Sequence, residues 1–392
     1  MLSQRTITLV KQSIPLLANA GVEVTEHFYQ RMFAHNPELL DIFNLSNQRS
    51  GKQQFALFNA LAAYATYLDQ PEVLTEAIAR INHKHASLSI QPHHYPIVGE
   101  HLLATLREMF VHQFTKEIEQ AWAEAYSFLA DLFITQEEGI YRQAEQLNGG
   151  WRGTRRFYIS KIVSESELVK SFYLKPLNAQ PVMPYQAGQF LAIQCRIPGE
   201  SHQQIRQYSL SHTSNSQFYR ISVKRDNLVS GYLHRLREGD ELDVMPPAGE
   251  FVLRQTRAPK VLISAGVGIT PMMSMLHTLA DQAFNQPLYF LHACRNPAQQ
   301  SFHAELTSAA QSLPMLTVHT WLEENQNDLV CTNNHAGRMR LAPLSSSLPL
   351  EHGEFYLCGP TPFMADIKQQ LITLGVNNSR ILYEVFGPHE SL

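Results

Sequence analysis

Leu74, Ile78, Ile81 and His85 recur at spacings of four, three and four, which puts the His85 imidazole on the apolar stripe of a helix. A histidine there needs a partner, and two chemistries supply one: a structural hydrogen bond, or ligation of a metal by a neutral ring nitrogen. Gln53 shares a second stripe with Leu57, Leu61 and Tyr64, so one carboxamide opens an otherwise apolar face. Tyr29, flanked by Phe28 and close to Met32 and Phe33, adds a phenol on a core-facing helix. A third stripe, Trp122, Tyr126, Leu129, Phe133 and Glu137, ends on a carboxylate where the period asks for an apolar side chain. Burying that carboxylate alone would cost several kcal/mol, so it needs a donor such as Tyr95 or the His85 ring. The alternative is a solvated Glu137 in a fraying last turn. One imidazole, an apolar wall with Leu57 and Phe43, and one or two hydrogen-bond donors are the parts of a haem pocket.

A different chemistry is written further on. Arg206-Gln207-Tyr208-Ser209 ends a β-type run and resembles the flavin signature of ferredoxin-reductase-like modules. The arginine can neutralise a pyrophosphate, the tyrosine ring can stack on an isoalloxazine, and the serine can hydrogen-bond near its N5. Phe190 keeps a stacking face where such modules usually carry tyrosine, and Val223-Lys224-Arg225 followed by Ser230 belongs to the same set. Gly266, Val267, Gly268, Ile269, Thr270 and Pro271 follow an apolar strand and open a helix. Two glycines let backbone approach a pyrophosphate, Thr270 is expected to cap, and Pro271 suits the first turn, whose free N–H groups face an anion. Cys358-Gly359-Pro360 follows a later strand and resembles a nicotinamide-side turn.

These residues require three kinds of element. Up to about residue 142 the apolar period is helical, with nothing that alternates like a strand. From Arg155 short β-type runs separated by Gly and Pro predict a small antiparallel barrel. From about Pro259, apolar strands at Lys260–Ser264, Leu288–His292 and Glu354–Cys358 alternate with helical segments, as in a parallel α/β sheet. The expected domains are 1–145, 152–256 and 257–392, with a polar, Gly-containing link near Gly149-Gly150. A formal charge of −4 gives no basic surface for nucleic acid or an anionic membrane. The N-terminus has no signal layout and no stretch reaches spanning length, so a cytoplasmic protein is expected. The four cysteines, Cys195, Cys294, Cys331 and Cys358, form no CxxC pair and read as reduced, mostly buried thiols. With 18 histidines in the chain, position must sort them.

The segments His27-Phe28-Tyr29, His35-Asn36-Pro37-Glu38-Leu39, Phe43-Asn44-Leu45-Ser46-Asn47-Gln48, Lys84-His85 and Val98-Gly99-Glu100-His101-Leu102-Leu103 resemble the globin domain of bacterial flavohaemoglobins. With the flavin and nucleotide motifs, the resemblance covers nearly the whole chain. It implies an all-α globin, an antiparallel β-barrel for FAD and an α/β parallel-sheet domain for NAD(P). It also implies haem b, with His85 as proximal ligand to the iron, Tyr29, Gln53 and Leu57 lining the distal side, and Phe43 on the haem edge. Tyr95 and Glu137 would form a relay behind His85, and Lys84 would tune potential with Tyr29. The closing Tyr383-Glu384-Val385-Phe386-Gly387-Pro388 would cover the flavin with Phe386, with Glu384 beside it. Here Val385 stands where many members have cysteine, and Gly139 replaces an acidic position found in some.

The activity implied is nitric oxide dioxygenation: electrons from NAD(P)H pass through FAD to the haem, and nitric oxide and dioxygen become nitrate, in a monomer with no obligate protein partner. Two other classes compete. One is an oxygen-carrying or sensing globin, which would need no hydride-handling Gly266–Pro271 turn. The other is a reductase for an external partner, weakened by the lack of an iron–sulfur cysteine set. Reduction of nitric oxide or of hydroperoxides stays open as a side activity. NADH and NADPH are not separated, although Arg295 could meet a 2′-phosphate.

Overall fold

The computed structural model describes residues 2–43, 51–324 and 333–387. Asn44-Leu45-Ser46-Asn47-Gln48, Cys331 and Pro388 lie outside them. Contacts divide the chain into two compact units, one of Met1–Gln146 with Trp151–Gly153 and Gln194–Arg206, the other of Leu147–Gly150, Thr154–Ile193 and Gln207–Leu392.

The first unit is helical: α1 (Gln4–Ala20), α2 (Glu23–His35), α3 (Lys52–Thr66), α4 (Thr75–Ser87), α5 (His94–Met109) and α6 (Lys116–Gln146). The Ser3 hydroxyl caps α1 by accepting from Thr6 N, satisfying one of the first-turn N–H groups. At 31 residues α6 is the spine of the unit. Its Trp122 is 1% exposed and donates its indole N–H to Ser13 Oγ at 2.8 Å, so the largest ring of the core carries a satisfied polar edge. Because α6 runs on to Gln146, Glu137 sits well inside the helix and is 2% exposed, which removes the frayed-end alternative.

The second unit holds the parallel sheet and most of the antiparallel one, whose ends at residues 194–195 and 204–206 are counted with the first. The antiparallel one contains β1 (Arg155–Ser164), β2 (Val169–Pro176), β3 (Phe190–Cys195), β4 (Gln204–Ser209), β5 (Tyr219–Lys224) and β6 (Glu241–Val244), in the order β4-β3-β6-β1-β2-β5. A bridge from Leu210, just past β4, to Ile221 of β5 joins the two ends of that order. A short helix α7 (Leu228–Leu233) follows β5, and Ser230 is consumed in its capping box with Asn227.

The parallel sheet contains β7 (Lys260–Ala265), β8 (Leu288–Cys294), β9 (Leu316–Leu322), β10 (Asn334–Ala336), β11 (Glu354–Cys358) and β12 (Ile381–Glu384), in the order β10-β9-β8-β7-β11-β12. Helices α8 (Ile269–Asp281), α9 (His303–Ser312) and α10 (Thr361–Thr373) cover it. One apolar cluster packs Leu262, Phe290 and Tyr356 against Met272, Met275 and Leu276 of α8. On the other face Ile263, Leu291 and Leu357 meet Met364, Ile367 and Leu371 of α10. Both faces are therefore dry, which is why these strands read as nearly continuous apolar runs.

A buried ion pair ties the two sheets of this unit together. Arg220 of β5, 1% exposed, donates to Glu305 Oε1 at 2.6 Å and Oε2 at 3.2 Å on α9, and His277 Nε2 lies 2.7 Å from the same Oε2. Burial alone would raise the Glu305 carboxyl, but the bonds from His277 and Arg220 outweigh it and hold the group at about 2, against an ordinary 4.5. A depressed carboxylate stabilises the fold above its unfolded pKa, and that stability disappears as pH falls from 4.5 through about 2. The gap corresponds to roughly 3 kcal/mol. Glu305→Gln is expected to lose most of this at neutral pH and to flatten the stability profile in that acid window. Urea unfolding at a series of pH values checks it, and parallel profiles for the two proteins would rule the account out.

Candidate functional site

Three helices converge behind His85. Its Nδ1 lies 2.8 Å from Glu137 Oε1 and 3.1 Å from the Tyr95 hydroxyl, and Tyr95 itself donates to Glu137 Oε1 at 2.5 Å. The Glu137 side chain is 3% exposed and that of His85 31%, so the carboxylate is shut in while one edge of the imidazole stays open. With Nδ1–H committed to Glu137, Nε2 is the acceptor nitrogen on the open edge. Burial, reinforced by Glu137, pushes the Tyr95 phenol upward, so it remains a donor. Tyr126 holds the Tyr95 backbone by donating to its carbonyl at 2.6 Å. Gly99 makes room for that ring, since a Cβ there would lie 2.5 Å from Tyr126 Cε1.

The partners sort this histidine from its neighbours. His101 is also buried, but both its nitrogens are taken, by Arg31 at 2.7 Å and by the Asn36 carboxamide at 2.9 Å. No hydrogen bond among the described residues uses His85 Nε2.

On the other stripe, Tyr29 of α2 is 6% exposed and sits in an aromatic nest, 5.7 Å from Phe33 and 5.8 Å from Phe43 between ring centroids. Leu57 of α3 is partly buried against the same core. Gln53, in the first turn of α3, keeps a buried Oε1 that meets no partner among the described residues. A buried, unsatisfied carboxamide oxygen is costly, and it marks a place for a polar ligand or water. Lys84 precedes His85 on α4 and is partly buried. An open imidazole nitrogen backed by a carboxylate, an aromatic and aliphatic wall, and an underused polar group fit a haem.

The flavin-type residues follow one another along β4. Arg206 Nη1 donates to the Ile205 carbonyl at 2.8 Å and Nη2 to Gln204 Oε1 at 3.0 Å, which fixes the guanidinium. Gln207 and Tyr208 are half-buried, and Ser209 is 5% exposed with an Oγ that has no partner among the described residues. Phe190 leads β3, and its ring packs against Gly249, where a Cβ would lie 3.0 Å away. Val385, Phe386 and Gly387 follow β12, and Phe386 is 47% exposed, a large apolar ring left at the surface. The orphaned Ser209 hydroxyl and the exposed Phe386 are what a bound flavin would satisfy and cover.

The glycine turn crosses the top of the parallel sheet. Gly266–Gly268 forms a single tight turn and α8 begins at Ile269, with Pro271 inside its first turn. Thr270 does not cap: Gly268 occupies the N-cap, and the Thr270 hydroxyl donates instead to the Val267 carbonyl at 3.0 Å. A Cβ on Gly268 would lie 2.2 Å from the Cys358 carbonyl oxygen, so the turn rests directly on the Cys358-Gly359-Pro360 backbone. These two loops leave neighbouring strands β7 and β11 at the point where the strand order reverses, the crevice in which doubly wound sheets bind nucleotides. Burial, with Glu384 adding to it, pushes the Cys358 thiol well up, so it stays a neutral thiol.

The register also shows what spacing did not. Thr320, His292, Ser264, Cys358 and Glu384 stand in one row across five strands. Ser264 Oγ and His292 Nδ1 are 2.9 Å apart beneath the glycine turn, and complete burial lowers His292 to about 4, so it is neutral. A histidine inside the apolar run Leu288-Tyr289-Phe290-Leu291 was the available signal. Arg295, a candidate for a 2′-phosphate, is instead paired with Glu324 at the surface.

Fold and site together define a globin-type helical module joined to a flavin- and pyridine-nucleotide-type oxidoreductase module. The globin family matches residues 26–132, the oxidoreductase FAD-binding domain 156–253 and the oxidoreductase NAD-binding domain 262–369. A flavohemoprotein of Vibrio cholerae is 46% identical over the full length of both chains, and one of Bacillus thuringiensis is 43% identical over the full length of both. The chain belongs to the flavohemoprotein family. The crystal structure of a Malassezia yamatoensis flavohemoglobin, with bound FAD and heme, is similar at a TM-score of 0.89 and 28% identity, covering 98% of this chain and all of that one. The FAD/NAD-binding domain of a nitric oxide dioxygenase from Vibrio cholerae is 41% identical with a TM-score of 0.57, covering 60% of this chain and all of that one.

Proposed function

We propose that this chain is an NAD(P)H-dependent nitric oxide dioxygenase that converts nitric oxide and dioxygen to nitrate and so detoxifies nitric oxide. The observation that carries this reading is the buried Glu137 carboxylate accepting from both His85 and Tyr95. When bound, NAD(P)H, FAD and haem b supply the hydride, its division into single electrons and an iron at which dioxygen reacts.

His85 would hold the iron through Nε2, and Glu137, accepting the Nδ1–H, would make the ring a stronger electron donor, which suits oxygen activation better than carriage. Tyr95 holds the Glu137 oxygen in place from its second side. Tyr29 and Gln53 are the donors for a small polar ligand on the distal face, while Phe43 and Leu57 keep water out of it. Lys84 places a positive charge next to the ligand histidine and raises the potential there. Arg206 would neutralise the pyrophosphate of a bound flavin, Tyr208 and Phe190 would offer rings to it, and Ser209, whose hydroxyl has no partner among the described residues, would donate to its ring. Gln207, Val385, Phe386 and Gly387 would complete the flavin contacts, with Glu384 beside them, and the family motif extends this set to Pro388. Gly266 through Thr270 would bring backbone N–H groups to the nucleotide phosphates, with Pro271 fixing the first turn of the helix, and Cys358, Gly359 and Pro360 would flank the nicotinamide.

Residues 1–145, 152–256 and 257–392 act in this reading as the haem, FAD and nucleotide modules of one monomer. It works in the cytoplasm, in keeping with the buried Cys195, Cys294 and Cys358, none of which is in a disulfide, and without a protein partner. No helix among the described residues is long and apolar enough to cross a membrane.

The test is consumption of nitric oxide by the FAD- and haem-loaded protein with NAD(P)H, with and without dioxygen, with nitrate quantified. Oxygen-dependent loss with one nitrate formed per nitric oxide is expected. Flavin and haem reduction without nitric oxide loss would leave a reductase-coupled globin with a different substrate. Glu137→Gln keeps the shape but removes the charge, so turnover should fall about ten- to a hundred-fold with haem content unchanged. The iron–histidine stretching frequency should drop as well. An unaltered frequency and rate would eliminate the relay.

A further inference from the structure

Beyond β8 the parallel sheet ends in a cavity that none of the motifs above accounts for. Trp321 at the end of β9, Asn334 and His335 of β10, and Arg338 and Arg340 just after it line a space of about 380 Å³. His335 stacks on Trp321 with centroids 4.4 Å apart and planes 20° from parallel, and His319 Nδ1 lies 3.0 Å from His335 Nε2. The two arginines are held loosely. Arg338, with an 82% exposed side chain, comes no nearer than 3.8 Å to Glu323, and Arg340, 63% exposed, lies 3.9 Å from Asp366. Both separations exceed hydrogen-bond length, so the planar donor forks are available to an anion. Glu324, which follows β9, is already paired with Arg295 and bound by Asn296.

The topology says what would reach this place. The glycine turn that suits a pyrophosphate follows β7, and the Cys358 turn lies to one side of it on β11. A dinucleotide with its nicotinamide toward Cys358 must run its other half the opposite way, over β8 toward β9 and β10. At the usual strand spacing these lie about 10 and 14 Å from β7. That span suits an adenosine with a substituent on its ribose.

We propose that this cavity receives the adenosine end of the pyridine nucleotide, its base against the Trp321–His335 stack and its 2′-phosphate on Arg338 and Arg340, so that NADPH is the preferred reductant. The inference rests on the reductase reading above. Two guanidiniums facing a dianionic phosphate make charge-assisted, bidentate hydrogen bonds, and NADH, with a hydroxyl at that position, cannot form them.

Calorimetric titration of the full, cofactor-loaded chain with adenosine 2′,5′-bisphosphate and with adenosine 5′-monophosphate tests the site without relying on turnover. The bisphosphate should bind at least about ten-fold more tightly, the size of one or two charge-assisted bonds. Arg338→Ala with Arg340→Ala should erase that margin while leaving the monophosphate unchanged. Anaerobic flavin reduction by each coenzyme separates the two levels of the claim. Reduction by neither would overturn the reductase reading itself. Reduction by NADH at least as efficient as by NADPH, with equal binding of the two adenosine probes, would overturn only the assignment of this cavity.

Discussion

His85→Ala, reconstituted with haem, should show no Soret band of a histidine-ligated iron and should consume nitric oxide more than roughly a hundred-fold more slowly. Changing a second-sphere partner alone costs about ten- to a hundred-fold at ligated sites, and removing the ligand costs more. The loss should be specific, since the residues proposed to serve reduction of FAD by NAD(P)H, Arg206, Ser209 and the Gly266–Pro271 turn, lie apart from His85 in the chain, and that reduction should continue at its normal rate. Added imidazole should restore part of the band by occupying the space the ring left. Optical spectra and flavin reduction on the same preparation decide the matter. A full Soret band in the alanine variant would show that another histidine holds the iron. His101 is the obvious control, because Arg31 and Asn36 already occupy both its nitrogens and its replacement should leave the spectrum intact.

Gly268→Ala is expected to produce the opposite separation. The new methyl would lie 2.2 Å from the Cys358 carbonyl oxygen and 2.6 Å from Gly359 N, and backbone cannot swing aside as a flexible side chain can. The glycine turn must lift off the Cys358 loop, moving its backbone N–H groups and the thiol apart. A displacement of this kind, near 1 Å, costs on the order of a hundred-fold in rate. Hydride transfer to the flavin should therefore fall by about that factor, while the visible spectra of bound haem and oxidised flavin stay unchanged. Stopped-flow reduction at saturating NAD(P)H measures it. A rate within a few-fold of the parent would mean that the turn is not where the nucleotide binds.

The glycine turn shows how a motif can be legible and its mechanics still misread. Two glycines and a proline between a strand and a helix located the loop correctly, but Thr270 was expected to cap and instead donates backwards to Val267. Spacing identifies a hydroxyl near a helix start. It does not say whether the preceding residues turn tightly enough to take the N-cap position themselves, as Gly266–Gly268 do. Likewise Arg295 stood at a plausible place after β8, but its partner Glu324 follows β9 and is adjacent only through the sheet. In the sequence His292 reads as one more residue of an apolar strand. Its significance lies in a bond to Ser264 on the neighbouring strand, 28 positions away.

The order of modules, the strand-to-helix turns, the Arg206-Gln207-Tyr208-Ser209 strand and the stripes carrying His85, Gln53 and Glu137 are all legible in the amino-acid sequence. All of these are expressed in local periodicity and short spacing, which reflect backbone geometry within one element. Which side chains meet is set by the packing of the folded chain. His85, Tyr95 and Glu137 come from α4, α5 and α6, Arg220 and Glu305 from a strand and a helix 85 positions apart, and Trp321 and His335 from two parallel strands. The physical reason is that periodicity tells which face of an element is buried, whereas the partner across that face is chosen by packing and by the cost of leaving a buried polar group unpaired.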